Sequence, residues 1–196
     1  VNALIWLTLL SLQIVDPIYP PDVITGGNVV AELRFVGGNV KALKILSGEE
    51  PFVGSTRSAL SAWKMASKQD GDELVVVHFR YPFLDLIGNS NEQISPAKPG
   101  ALLPYPKTVS PPLYPANAEG QGSVVLHVEI SPEGRVTEVQ VIKGLGALTE
   151  TSSDAVRKWE FVAPVNAKGE KQASHAYAVF VYRFPISTGK EGGGGF

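Results

Sequence analysis

Histidine, carboxylate and hydroxyl side chains are the groups here that could move a proton or hold a metal, and their spacing argues against both. The histidines are His78, His127 and His175, scattered along the chain with no pair at metal-ligand separation. Cysteine is absent, so disulfides, thiolate metal sites and cysteine nucleophiles fall away together, and any compartment is allowed. Acids cluster at Glu49-Glu50 and at Asp70-x-Asp72-Glu73, which read as turns where carboxylates are solvated. The stretch "STGK" ending at Lys190 imitates a phosphate-binding loop. The glycine five positions before Gly189 is missing, however, and no strand–loop–helix follows. No G-x-S-x-G nucleophile setting occurs. The residues make no case for an enzyme, a cofactor or a metal site.

The elements that carry these groups are more informative. From Gly122, "GSVVLHVEISPEGRVTEVQV" alternates Val124, Leu126, Val128 and Ile130 with Val125, His127 and Glu129, a strand with one apolar face from which His127 points outward. "SPEG" supplies a turn, and Thr137, Val139 and Val141 resume the alternation, giving a β-hairpin. A near-copy lies about 95 residues upstream in "GNVVAELRFVGGNVKALKIL". There Val29, Ala31, Leu33 and Phe35 take the inward positions, Glu32 stands where His127 stands, and Gly37-Gly38 makes a shorter turn.

The likeness continues in both directions. Tyr19-Pro20 precedes the first hairpin as Tyr114-Pro115 precedes the second. Behind them, Phe52, Thr56, Ala59, Leu60 and Trp63 match Ser152, Ala155, Val156 and Trp159, each set on one helix face. The tryptophans complete those faces and read as core anchors. Two apolar strands follow, "ELVVVHFRYP" and "AYAVFVYRFP", both ending aromatic-Arg-aromatic-Pro. Repetition over so many elements predicts an α+β protein of two tandem ββαβ units, each a three-stranded antiparallel sheet with one helix packed on one face.

The expected divisions are an apolar segment over 1–15, a first unit over 16–84, a Pro-rich linker over 85–110, a second unit over 111–185 and a flexible tail over 186–196. Proline density in the linker predicts two separately built units rather than halves of one sheet. Its Leu102, Leu103 and Tyr105 predict that it lies along a domain surface. "VNALIWLTLLSLQIV" is short for a membrane-crossing helix and lacks a signal peptide's basic start. It reads either as the remnant of an anchor or signal, a missing or partial anchor being the one route to membrane association, or as a packed N-terminal element. A formal charge of −2 offers no bulk attraction to nucleic acid or anionic lipid.

Each last strand is apolar on both faces and so wants cover on both. The second cover is left open between the other unit, the linker and a second chain, which would make a homodimer. Hence three functions stand beside one another: capture of a partner strand, a self-sealed scaffold, and a small-ligand cleft between units.

The second unit resembles the TonB C-terminal domain family. The matching residues are Tyr114-Pro115-Ala116-x-Ala118, Gly122-x-Val124, Ser131-Pro132-Glu133-Gly134-Arg135-Val136 and Ala155-Val156-Arg157-Lys158-Trp159, with Pro164 just beyond. The first unit is similar to a degenerate copy, keeping Tyr19-Pro20, Gly38-x-Val40, Ala59-Leu60 and Trp63 without the Pro-acid-Gly-Arg turn. The resemblance implies a periplasmic or envelope location in a Gram-negative-type bacterium, with an inner-membrane anchor if the native chain is longer. It implies an outer-membrane transporter or other envelope protein as partner, in energy-coupled transport. It further implies docking by β-augmentation on the last strand: Ala176, Tyr177, Ala178, Val179, Phe180, Val181, Tyr182 and Arg183. Leu74, Val75, Val76, Val77, His78 and Phe79 are the secondary edge. The alternative is a non-transducing assembly module with self-sealed edges.

Overall fold

A computed structural model describes residues 12–65, 70–81, 92–94, 103–115 and 120–183, without the side chains of Leu12, Glu92 and Gln93. Residues 1–11, the linker residues 85–91 and 95–102, the Ala116 and Ala118 positions and the tail lie outside this range. The alternation of the first hairpin builds β2 (Gly27–Val36) and β3 (Asn39–Ser47), after a two-residue strand β1 (Leu12–Gln13). Gly37 and Gly38 turn between them at φ 58° and 79°, the left-handed pair that a tight hairpin matched to strand twist requires. Helix α1 (Phe52–Leu60) and the short β4 (Lys64–Met65) follow, then β5 (Gly71–Arg80). Beyond lie β6 (Glu92–Gln93) and β7 (Tyr105–Val109). The second hairpin is β8 (Gly122–Ile130) and β9 (Val136–Lys143), followed by α2 (Leu148–Val156), β10 (Glu160–Val162) and β11 (Ser174–Tyr182).

Eight strands form one sheet in the order β1-β4-β3-β2-β5-β11-β8-β9. Its pairings are antiparallel except at the centre, where β5 and β11 run parallel. The expectation of two separately built sheets is corrected: the two last strands join the halves into one. The physical reason lies in their composition. A strand apolar on both faces cannot leave either to water, and the β5–β11 contact supplies the missing cover for both strands.

The two helices lie on opposite faces. One core gathers Phe52, Leu60 and Trp63 with Val29, Ala31, Leu33, Phe35, Val75, Val77 and Phe79, and takes in Val125, Tyr177, Val179 and Val181 from the other half. The second gathers Leu148, Val156 and Trp159 with Val124, Leu126, Val128, Phe180 and Tyr182, and takes in Val30, Leu74 and Val76. Each half thus covers the bare back of the other.

The linker does more than tether. β7 pairs with β6 and β10 in a small second sheet, and Ile94, Tyr105 and Val109 enter the α2-side core. Each tryptophan sits just past its helix and clasps the chain that leads into its hairpin. Trp63 Nε1 donates to Val15 O at 3.0 Å, and Trp159 Nε1 donates to Ser110 O at 2.9 Å. A helix hydroxyl does the same nearby: Ser55 to Ile18 O, and Thr151 to Leu113 O.

Candidate functional site at the seam of the last strands

The residues expected to form an open edge lie at the centre of the sheet. β11 meets β5 from Tyr177 opposite Val75 to Tyr182 opposite Arg80, and meets β8 from Ser174 opposite Ile130 to Tyr182 opposite Gly122. Its other side is therefore taken along its whole length. β5 is likewise held by β2, from Gly27 opposite Phe79 to Phe35 opposite Gly71. The open edge expected at Ala176 to Arg183 is corrected to a seam closed by β5 from Tyr177 to Tyr182, and the secondary one at Leu74 to Phe79 is closed by β2 throughout and by β11 from Val75 onward. Backbone groups of a central strand are shared between two neighbours, so a third strand has no ladder to join.

Register at the seam follows from the helix positions. Partners in a parallel pair point to the same face, and a slip of one residue reverses the face. Phe79 and Tyr182, which hold matching places in the two aromatic-Arg-aromatic-Pro endings, lie in different cores because their helices are on opposite faces. They cannot then be opposite one another. The observed partner of Phe79 is Val181, one residue earlier.

The arginines of those endings fasten the halves together. Buried Arg80 donates from Nε to Pro112 O at 2.9 Å, on the segment leading into the second hairpin. Arg183 donates from Nη1 to Val23 O at 2.8 Å, on the segment leading into the first. Asp16 adds a third tie, accepting from Ser123 Oγ at 2.8 Å and pairing with Lys143.

Titratable groups collect at the N-terminal end of the seam, on the α1 side. His175 of β11 lies opposite Glu129 of β8, and Glu129 opposite Glu138 of β9. His175 Nε2 reaches across the seam to Glu73 Oε2 of β5 at 3.0 Å. The His127 ring stacks 5.2 Å from His175 and 5.1 Å from Tyr177, which meets Trp63 edge-on at 6.0 Å. The Glu73 carboxylate beside it pushes His175 above the usual imidazole range, against the opposing effect of desolvation. Burial, aided by His175, pushes His127 down to about 4. Burial raises the Glu129 carboxyl, countered by His175.

Of the two readings of Glu73, the solvated turn gives way to the strand expected from "ELVVVHFRYP". His127 departs for a different reason: it is 5 % exposed rather than solvent-facing. The face called outward in an isolated hairpin becomes an inner face once the other half covers it. Val125, apolar on that outward face, carried the signal.

His78 is buried among different neighbours. Its Nδ1–H donates to Asn28 Oδ1 at 2.6 Å, while Nε2 has no hydrogen-bond partner among the described residues. Burial, reinforced by Arg80, pushes it down to about 3. The histidines do not assemble into a metal-binding group, and the described residues hold none. A cleft that touches both halves, between Asp72, His175, Leu103 and Pro164, has a volume of about 270 Å³, just below the range of roughly 300–1,000 Å³ usual for ligand sites.

Comparison with known proteins finds a match for the second half of the chain. Residues 110–184 match the family model described as Gram-negative bacterial TonB protein C-terminal. Among solved structures, the solution NMR structure of Pseudomonas aeruginosa TonB CTD is similar at 23 % identity and a TM-score of 0.34. That similarity covers 51 % of this chain and 98 % of the other. No curated protein matches the chain.

Proposed function

We propose that this chain, whose residues 110–184 match the TonB C-terminal family model, is a protein-binding module of a Gram-negative envelope that seals its own docking strand. The carrying observation is the parallel seam, in which β5 lies along the side of β11 that a partner strand would take. In this reading the chain acts as a non-transducing assembly module, and partners meet its outer surfaces. Outer-membrane transporters, the family's usual partners, and other envelope proteins are the candidate class.

The first half reads as a degenerate copy of the second. The paired indole and hydroxyl clasps support this, recurring 95 or 96 residues apart on Val15 and Ser110, and on Ile18 and Leu113. So does the strand following each helix. Lys64 pairs with Gln13 and with Asn39, as Glu160 pairs with Thr108 and with Arg135.

A second reading keeps the adaptor: a transporter peptide displaces β5 and adds to β11 by β-augmentation. The family match favours it, since the matched range is complete without β5. One experiment separates the two. The chain has no cysteine, so Val76→Cys with Ala178→Cys places a single disulfide across register partners of the seam. Binding of a transporter TonB-box peptide is then measured oxidised and reduced. The sealed reading expects no binding in either state, with envelope partners still captured by the oxidised form. Peptide binding that appears only on reduction would establish the adaptor instead. Equal peptide binding in both states would sink the adaptor reading and put peptide docking on an outer surface, with the seam still sealed.

A further inference from the structure

We propose that His175 and Glu73 form a proton-dependent latch across the β5–β11 seam. The seam is held chiefly by backbone pairing and two apolar cores, which do not respond to pH. Two ion pairs among the described residues cross between the halves, Asp16 with Lys143 and Glu73 with His175. The second carries an imidazole, the side chain whose ordinary charge change falls near neutrality, at the end of the seam where the strands begin.

The surroundings make the imidazolium the form that fits. Facing His175 are Glu73 from β5, Glu129 and His127 from β8, Glu138 beyond Glu129 on β9, and Tyr177 on its own strand. Asp72 beside Glu73 is engaged by Arg34, at 2.9 Å. The Glu73 side chain is only 15 % exposed, so its charge has little water to turn to when His175 is neutral. A proton on His175 answers that charge and draws on Glu129 as well. Opening the seam separates the pair and returns the imidazole to its ordinary value of about 6.5.

The direction follows from linkage. The closed form holds the proton more tightly than the open form, so the latch is complete below pH 6.5 and is lost as pH rises through the higher value of the closed form. Each unit by which the pair raises the imidazole makes opening about tenfold easier at alkaline pH. The latch concerns the strand that the proposed function regards as sealed and rests on that reading for its biological use. Its test reads the seam alone, so it can fail without the docking proposal failing, and the reverse.

The experiment is hydrogen exchange of the β5 and β11 amides in the full chain between pH 6 and pH 9, corrected for intrinsic rates. It is paired with NMR titration of the His175 ring. The unmodified protein should progressively lose protection at the seam as pH rises over that range. Glu73→Gln and His175→Gln, near-isosteric or on an exposed ring, should abolish the dependence, and Glu73→Gln should return His175 to an ordinary or lower titration. Asp16→Asn should leave the dependence intact. Seam protection independent of pH in the unmodified protein, or unchanged pH dependence in Glu73→Gln, would overturn the latch. So would an ordinary His175 titration in the unmodified chain.

Discussion

Two buried histidines set the acid side of this protein's stability. His78 and His127 are held neutral by burial, at about 3 and about 4, below the ordinary imidazole value. Between those values and pH 6.5 the unfolded chain binds protons that the folded chain refuses. Their contribution is therefore complete above pH 6.5 and is lost as pH falls toward the folded values. For His127 the loss between pH 7 and pH 4.5 amounts to about 2 kcal/mol. His127→Gln should accordingly lose less stability over that interval than the unmodified protein, measured as the shift in urea midpoint. Equal losses would mean that the ring is protonated in the folded state and the covered face is wrong. Gly134 is a residue-scale constraint of another kind. At φ 85° an added Cβ would sit 1.9 Å from Phe161 O, so the turn glycine serves close backbone approach as well as conformation.

At the scale of elements, periodicity reads faces and is silent about margins. The hairpins and both helix faces were legible because alternation and three-to-four spacing follow directly from which side chains are buried. The apolar second face of the last strands was legible too, as a demand for cover. The occupant was not, since nothing in a strand's own pattern says which strand lies beside it. The same blindness put His127 outside. Proline density also misled: it marks a segment that cannot enter a central ladder, yet β7 contains Pro106 and pairs in a small separate sheet. Proline at Val179 or Val181 tests the element directly. Both neighbours of β11 are occupied, so whichever way a given N–H points it is already bonded. Val179→Pro and Val181→Pro, tested singly, should each abolish the cooperative unfolding transition. If one of them stays folded with near-native stability, that N–H faces an unpaired margin and the seam is open there.

For the whole molecule, the exchange of cover between halves decides whether it unfolds once or twice. Two tethered domains would melt independently, each losing only its own core. Here α1 and Trp63 share a core with Val125, Tyr177, Val179 and Val181, and α2 with Trp159 shares one with Val30, Leu74 and Val76. Removing either half would bare a row of valines that each gain about 1.5–3 kcal/mol from burial, which neither half can forgo. Unfolding should therefore be a single transition. Trp63→Ala and Trp159→Ala each truncate a fully buried indole and leave a lead-in carbonyl without its donor, costing about 3–5 kcal/mol. Because the cores are shared, both changes should lower the same calorimetric transition by similar amounts. Residues 111–185 expressed alone should self-associate through the uncovered β11 face rather than stand as a monomer, which sedimentation measures. Two resolved transitions, each moved by only one tryptophan, together with a monomeric second half, would return the chain to a pair of tethered domains and leave β11 free for a partner strand.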